Sequence, residues 1–182
     1  MKPKSGMIKY ALSLITDQFF AVVVSILLMN IINFFFPDRL EFIQYLLSFL
    51  FFTIFLYVDS WGKASSDKVK QKLGAATHFK LKGFVFGAIA AIPSVIIAAL
   101  AFLSEVGIIA GYEFLHINVF VLINRFWQIP LGLILSGAVN SAPWVNILLP
   151  LWVPIVSGVG YLFGSLDITI RNLLLYSRSD KS

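Results

Sequence analysis

Residues 83–103 read GFVFGAIAAIPSVIIAALAFL and carry no charged side chain. A helix of about 20 apolar residues is long enough to cross the hydrocarbon core of a bilayer. This stretch therefore predicts a membrane-spanning helix. The composition agrees, because 59% of the residues are hydrophobic and 13% are charged, whereas soluble domains are about a quarter charged.

Other apolar runs on both sides of this stretch predict three more spans. We expect one domain over 1–182, an all-α integral membrane protein. It has about four transmembrane helices plus an interfacial or re-entrant helix on the outer side. The predicted organisation is spans at 19–36, 42–58, 83–103 and 144–163, an inner basic loop at 59–82, an outer segment at 104–143 and an inner tail at 165–182.

The basic residues predict the orientation of the spans. All but two of the 14 Lys and Arg residues, Arg39 and Arg125, fall near the N-terminus, in the loop 59–82 or in the tail. Basic residues beside spans stay on the cytoplasmic side, so we expect both termini in the cytoplasm. The net charge of +5 favours anionic lipid headgroups as the partner of the lysine-rich loop, and not nucleic acid.

The segment 117–139 is apolar but interrupted, and it leaves two arrangements open. A fifth crossing would bury Arg125 near mid-span, at a cost of about 2.5–3.5 kcal/mol, and would move the basic tail outside. We favour an interfacial or re-entrant segment. Asn118, Arg125 and Gln128 lie at helical spacing, which favours an amphipathic helix lying flat on the membrane.

Small residues recur along one face of the predicted third span, and a G-x-x-x-G pair closes the fourth. Small side chains let two helix backbones approach closely in a membrane. Two interpretations stay open: the spans pack against each other within the chain, or the stripe docks a second copy or a larger membrane partner. The predicted helix-packing residues are Gly83, Gly87, Ala91, Ser94, Ala98, Ala101, Gly160 and Gly164.

Several polar residues and prolines could form a transport site. Asp17 would lie inside the membrane if the first helix begins at residue 7, and at headgroup level if the span begins at residue 19, which we favour. We expect Asn30 to form an interhelical hydrogen bond. Pro150 and Pro154 each free a backbone carbonyl one turn earlier. The candidate transport residues are Asp17, Asn30, Arg125, Pro150 and Pro154.

The sequence offers little to an enzyme. It has no cysteine, and its two histidines fall on opposite sides of the predicted membrane. Known nucleophile, zinc-binding and phosphate-binding motifs do not occur. We therefore expect no cofactor, no metal and no catalytic activity. A lipid-modifying enzyme would need Glu105 or Glu113 beside Arg125 in an outer cleft.

One pattern resembles a known group of proteins. Trp61-x-x-Ala64-x-x-Asp67-Lys68 and, further on, Lys82-Gly83-x-x-x-Gly87 resemble small uncharacterised membrane proteins of Gram-positive bacteria. Those proteins carry glycine where this chain has Ala64. The resemblance implies the bacterial plasma membrane as the location, and it implies no activity.

Two functions follow as hypotheses. The first is a membrane protein that acts through helix–helix interaction, as an accessory subunit or a self-associating scaffold, including a homo-oligomer. The alternative is a component of a membrane transporter or channel, for which a polar path beside Asp17, Asn30 or the carbonyls near Pro150 would be the distinguishing feature.

Overall fold

The computed structural model of the chain describes residues 4–36, 41–74, 79–109, 113–114, 117–132 and 144–166. Four of the described helical segments, Met7–Phe35, Phe42–Lys72, Lys82–Glu105 and Val145–Ser165, are long and apolar enough to cross a membrane. The chain is thus an all-α membrane protein, as the sequence predicts. The helices are α1 Lys4–Phe35, α2 Glu41–Lys72, α3 Lys82–Glu105, α4 Val119–Trp127, α5 Val145–Leu148 and α6 Trp152–Ser165.

Short elements complete the described chain. Strands β1 (Glu113–Phe114) and β2 (Ile117–Asn118) form an antiparallel pair before α4. Two 3-10 turns follow at Ile129–Leu131 and Leu149–Leu151, and each contains a proline near its start. Proline lacks the N–H that a regular helix needs, and the second of these turns, at Pro150, lies within the predicted fourth span.

The first two helices are longer than the sequence predicted. α1 is helical from Lys4 rather than from residue 19, and α2 continues to Lys72 rather than ending at residue 58. At about 1.5 Å per residue, α2 is roughly 48 Å long, well beyond a hydrocarbon core. The loop predicted at 59–82 is therefore wrong in its first half. The polar residues there belong to α2, and the C-terminal half of this helix forms hydrogen bonds to neighbouring helices.

Gly74 ends this helical segment. Its φ is +70°, in the left-handed region that suits glycine just after a helix. The amide of Gly74 donates to the carbonyl of Gln71 at 2.9 Å.

We call the end of the bundle that holds Lys82 and the C-terminal end of α2 the inner end, and the opposite end the outer end. The inner half of α3 packs against α6. Ser157 Oγ donates to the carbonyl of Gly83 at 3.1 Å. A Cβ at Gly87 would lie 2.8 Å from Pro154 Cα. The order of these contacts shows that α6 runs antiparallel to α3.

The outer half of α3 packs against α4, which also runs antiparallel to it. Asn118, which caps α4 by accepting a hydrogen bond from the amide of Phe120 at 3.0 Å, bonds to Ser104 near the outer end of α3. Trp127, at the other end of α4, bonds to Ser94. Ser94 lies about 16 Å along α3 from Gly83, so α4 extends to the middle of the bundle.

This placement corrects the prediction of a flat amphipathic helix. Val121, Asn124 and Gln128 face the bundle, while Arg125 is exposed. The predicted stripe of Asn118, Arg125 and Gln128 does not share one environment. A helix that lies along α3 buries the residues that face α3, and Arg125 faces the other way.

Parts of the predicted organisation lie outside the described residues. These parts are the turn at 37–40, the histidine positions 78 and 116, residues 133–143 of the outer segment, and the tail from residue 167 onward.

Candidate functional site

α4 ends in the middle of the bundle, beside the fourth candidate span Val145–Ser165. α4 and α6 lie one after the other along α3 and run in the same direction. The turn Ile129–Leu131 follows α4 directly. Gln128 Nε2 donates to the backbone carbonyl of Asn146 at 3.2 Å and so links the end of α4 to α5.

Pro150 explains why that carbonyl is open to a side chain. The missing N–H of Pro150 leaves the carbonyl of Asn146, four residues earlier, without its helical partner. Inside a membrane such a carbonyl needs another donor. The sequence predicted a freed acceptor at this position, and Gln128 is the donor that occupies it.

A chain of hydrogen bonds near the end of α4 joins three helices. Trp127 Nε1 donates to Ser94 Oγ at 2.7 Å. Ser94 Oγ donates to Gln18 Oε1 at 3.1 Å, and Gln18 Nε2 donates to the carbonyl of Ala90 at 3.1 Å. Gln18 and Ser94 are each 3% exposed. The network therefore fixes α1, α3 and α4 together inside the bundle.

A small cavity of about 10 Å³ lies beside this network. Polar lining comes from Gln18, Ser94, Trp127 and Gln128, and the apolar walls are Phe52, Pro130, Leu131, Pro150 and Val153. A space of about 10–15 Å³ on this scale holds one water molecule. No wider path is seen among the described residues that line the cavity.

Gln128 is the deepest polar residue at this site, with 2% of its surface exposed. Its Nε2 also donates to Asn124 Oδ1 at 2.8 Å. Its Oε1 is buried and has no hydrogen-bond partner among the described residues. An unpaired buried carbonyl costs about 1–3 kcal/mol, so this oxygen is a place for a ligand's donor.

A second polar group lies further toward the inner side. Asp17 on α1 and Asp59 on α2 have their carboxyl groups within hydrogen-bonding reach of each other. Asp59 also pairs with Lys63 one turn later, and Lys63 Nζ lies 3.4 Å from the carbonyl of Tyr10. Asp17 and Gln18 are adjacent in α1. The group of Asp17, Asp59 and Lys63 therefore begins one residue before the hydrogen-bond chain that contains Gln18.

The headgroup-level position that the sequence favoured for Asp17 stays a prediction. α1 is one helix from Lys4 to Phe35, and its candidate span begins at Met7. At about 1.5 Å per residue the 29 residues of that segment measure roughly 43 Å, which is longer than a hydrocarbon core of about 30 Å.

The third polar group closes the inner end of the bundle. Asp67, 4% exposed, accepts hydrogen bonds from Tyr10 Oη at 2.7 Å and Tyr161 Oη at 2.8 Å. Lys82 Nζ also bonds to this carboxylate and lies 4.7 Å from the centre of the Tyr10 ring. One carboxylate thus ties α1, α3 and α6 to α2.

The small-residue stripe lies inside the chain. A Cβ at Gly83 would sit 2.4 Å from Tyr161 Cβ, and one at Gly87 would sit 2.0 Å from Ser157 Oγ. Gly160 and Gly164 of α6 face α2 in the same way: a Cβ at Gly160 would lie 2.7 Å from the Tyr57 carbonyl. Ala91, Ser94, Ala98 and Ala101 are also buried. The glycines therefore pack the chain's own helices against each other.

The structure separates the candidate transport residues. Pro150 lines the central cavity. Pro154 packs on Gly87. Asn30 is exposed and donates to the carbonyl of Ile26 in its own helix at 2.8 Å, so the predicted interhelical bond is absent among the described contacts. Arg125 faces outward.

Sequence reasoning missed most of the residues that build the site. Gln18 and Asn124 were not singled out, Asn146 was expected only to carry a freed carbonyl, and Gln128 was placed on the wrong face. A usable signal was the buried face of α4, where Val121, Asn124 and Gln128 follow helical steps of three and four. Amides in otherwise apolar helices indicate interhelical hydrogen bonds.

The described residues contain no group of three His, Asp or Glu side chains that could hold a metal ion. No family of proteins matches the chain, and no curated protein or solved structure shows significant similarity to it. The function therefore has to be argued from the site.

Proposed function

We propose that this chain is a component of a membrane transporter that binds a small polar solute where α4 ends against the fourth span. The carrying observation is that α4 ends inside the bundle, at a buried pocket lined by the amides of Gln18 and Gln128. Transporters place substrate sites near the membrane middle, where discontinuous helices meet. Irregular backbone at that depth is tolerated where it lines a cavity.

Two further features support transport. A pair of facing carboxyl groups, Asp17 and Asp59, lies within the candidate spans beside Lys63, and ionisable residues inside spans are costly enough that they usually serve function. The hydrogen bonds to Asp67 join four helices at the inner end of the bundle. A bundle that is closed at one end is what one state of an alternating-access cycle requires.

The experiment tests whether water-soluble reagents enter the pocket. The chain has no cysteine, so single cysteines can be introduced without background. Val153→Cys places a thiol in the cavity wall and keeps every hydrogen bond. The matched control is Ile155→Cys, two residues later and 48% exposed on the outer surface of the bundle. Val106→Cys, beyond the outer end of α3, reports reagent activity.

A membrane-impermeant methanethiosulfonate is then added to sealed vesicles of either orientation. We expect Val153→Cys to react from at least one side and Ile155→Cys to stay unmodified, because a thiol in lipid is not ionised. A Val153→Cys that stays unmodified from both sides, while Val106→Cys reacts, would overturn the transport proposal.

A second function, helix–helix interaction, is favoured by a different surface. A groove of about 190 Å³ lies between α3 and α6 on the outer surface of the bundle, lined by Ala88, Ala91, Ile92, Val95, Ile96, Leu151 and Pro154. Its alanines allow close backbone approach, and the occupant we propose is a helix of a second copy.

Ala88→Leu should then convert a dimer to a monomer in native mass spectrometry, while Val85→Leu should not. A mass unchanged by Ala88→Leu would exclude this surface.

The location also stays a proposal. We propose the bacterial plasma membrane, with both termini in the cytoplasm. Two lysines at the end of α2 are exposed, Lys70 and Lys72. They would contact anionic headgroups. A tag fused after Ser182 should resist protease added to intact cells; digestion of the tag would reverse the orientation.

A further inference from the structure

The polar atoms around the central cavity are unequal in their hydrogen bonding. The donor atoms Trp127 Nε1, Ser94 Oγ, Gln18 Nε2 and Gln128 Nε2 each donate within the protein. The buried polar atom at the cavity that has no partner among the described residues is an acceptor, Gln128 Oε1. The cavity therefore presents an unpaired hydrogen-bond acceptor, which a ligand can satisfy only with a donor group.

The orientation of the Gln128 amide is fixed by its surroundings. Exchanging its oxygen and nitrogen would place Oε1 against the backbone carbonyl of Asn146, now 3.2 Å from Nε2. Two carbonyl oxygens cannot share a hydrogen bond. A backbone carbonyl cannot be turned as a side-chain amide can, so the amide keeps this orientation and Oε1 keeps no partner in the described part of the protein.

The electrostatics of the cavity exclude a charged occupant. Its described lining residues are all uncharged, and Phe52, Leu131 and Val153 supply apolar wall. Transferring an ion into such surroundings without a counter-charge costs several kcal/mol. A neutral O–H or N–H group needs one good acceptor and loses far less hydration.

We propose that Gln128 Oε1 is the recognition atom of this pocket and binds neutral molecules through an O–H or N–H donor. In the state described here the cavity of about 10 Å³ holds one water-sized molecule. The assignment of transported substrates to this neutral, donor-bearing class rests on the proposed function. The presence of a donor at Oε1 does not.

Water is the first probe. In detergent micelles, cross-relaxation between water and the indole N–H of Trp127, assigned with Trp127→Phe, should give a cross-peak for a long-lived buried water. Trp152, whose Nε1 donates to Thr53 Oγ1 at 3.1 Å away from the cavity lining, is the internal control and should give none. A missing Trp127 cross-peak would overturn the inference.

Two variants show whether the water depends on the pocket. Gln128→Met removes the acceptor at similar length, and Val153→Leu fills the cavity while every hydrogen bond is kept. Both should abolish the Trp127 cross-peak. A cross-peak that persists in a folded Val153→Leu protein would contradict a water in this cavity, so the idea stays testable even if Gln128→Met fails to fold.

The second probe is a pair of solutes of nearly equal shape, acetamide and acetone. Acetamide carries N–H donors and acetone carries none. Both solutes are larger than one water molecule, so they are added to the Val153→Ala protein, whose shorter side chain enlarges the cavity and keeps every hydrogen bond. Saturable shifts of the Trp127 indole resonance are expected with acetamide, at least tenfold weaker binding with acetone, and no saturable shift with potassium chloride. Equal binding of both solutes, or saturation by potassium, would refute the donor class.

The outcomes separate this inference from the proposed function. If Val153→Cys is labelled in vesicles but acetone binds as well as acetamide, transport stands and the donor class falls. If the buried water is observed and Val153→Cys is never labelled, the donor site stands and transport falls.

Discussion

The two halves of α3 contact their neighbours by different chemistry. Toward the inner end, α3 meets α6 through glycines and a serine, with backbones so close that no Cβ fits at Gly83 or Gly87. Toward the outer end, α3 meets α4 through side-chain hydrogen bonds from Trp127 and Asn118. The first contact is dry and rigid, whereas the second contains amides and a cavity. The difference indicates that the outer half is the part able to rearrange around a ligand.

The largest expected effect tests the rigidity of the inner half. Asp67→Ala leaves the Lys82 ammonium without its carboxylate, and that side chain is 17% exposed. Removing one partner of a buried ion pair costs about 3–5 kcal/mol. Unfolding in mixed micelles with increasing dodecyl sulfate would measure the loss.

Tyr161→Phe is the control for Asp67→Ala. It removes one hydrogen bond from the same carboxylate and should cost about 1 kcal/mol. Equal losses for the two variants would show that the charge of Lys82 is satisfied elsewhere, and the inner half would lose its distinguishing feature.

The next prediction concerns close backbone contact. Gly87→Ala places a Cβ 2.0 Å from Ser157 Oγ and 2.8 Å from Pro154 Cα, so α3 and α6 must separate, at a cost of about 1–3 kcal/mol. Gly62→Ala is the matched control, because a Cβ there meets nothing within 4 Å. It should stabilise the protein by about 0.5–1 kcal/mol, as alanine replaces glycine inside a helix. Thermal unfolding of both variants gives the comparison.

The outer half should lose less stability from a single change. Ser94→Ala removes the acceptor of Trp127 and the donor to Gln18, and we expect a loss of about 1–2 kcal/mol. A double-mutant cycle with Trp127→Phe should show coupling of about 0.5 kcal/mol or more. Strict additivity would mean that the hydrogen bond across α3 and α4 contributes nothing, and the contrast between the halves would disappear.

The smallest effect on stability is expected at Asp17, on α1. Asp17→Asn replaces a carboxyl by an amide that can donate to Asp59, so stability should change by less than about 0.5 kcal/mol. Asp59→Asn instead removes the partner of Lys63, whose side chain is 10% exposed, and should cost more. A large loss from Asp17→Asn alone, in the same denaturation assay, would indicate that its carboxylate has a further partner.

The sequence predicted the small-residue stripe and the four apolar segments because both depend on local properties. Hydropathy and helical spacing are visible in a single segment. The close contact of α3 follows from its glycines, because a missing side chain lets two helix backbones approach each other. The same reasoning left two occupants open for the stripe, α6 of this chain and a second copy, since close approach has no partner specificity.

The polar site was only partly predictable. Pro150 indicated an open carbonyl near Asn146, and that inference needed only covalent geometry. The donor, Gln128, is 18 residues away along the chain and was assigned to a flat helix because Arg125 seemed to share its face. Asp59 and Asp67 were assigned to a loop because charged residues in a helix beyond its span resemble a connection.

The amino-acid sequence alone determined the solvent in which this protein folds and the places where its helices can touch, because apolar length and missing side chains act within one segment. Only the tertiary structure decided that α4 continues the line of α6 along α3 and that Gln128 faces a cavity instead of the membrane surface. Hydrogen bonds between distant amides depend on the packing of whole helices, and no local pattern encodes which pair will meet.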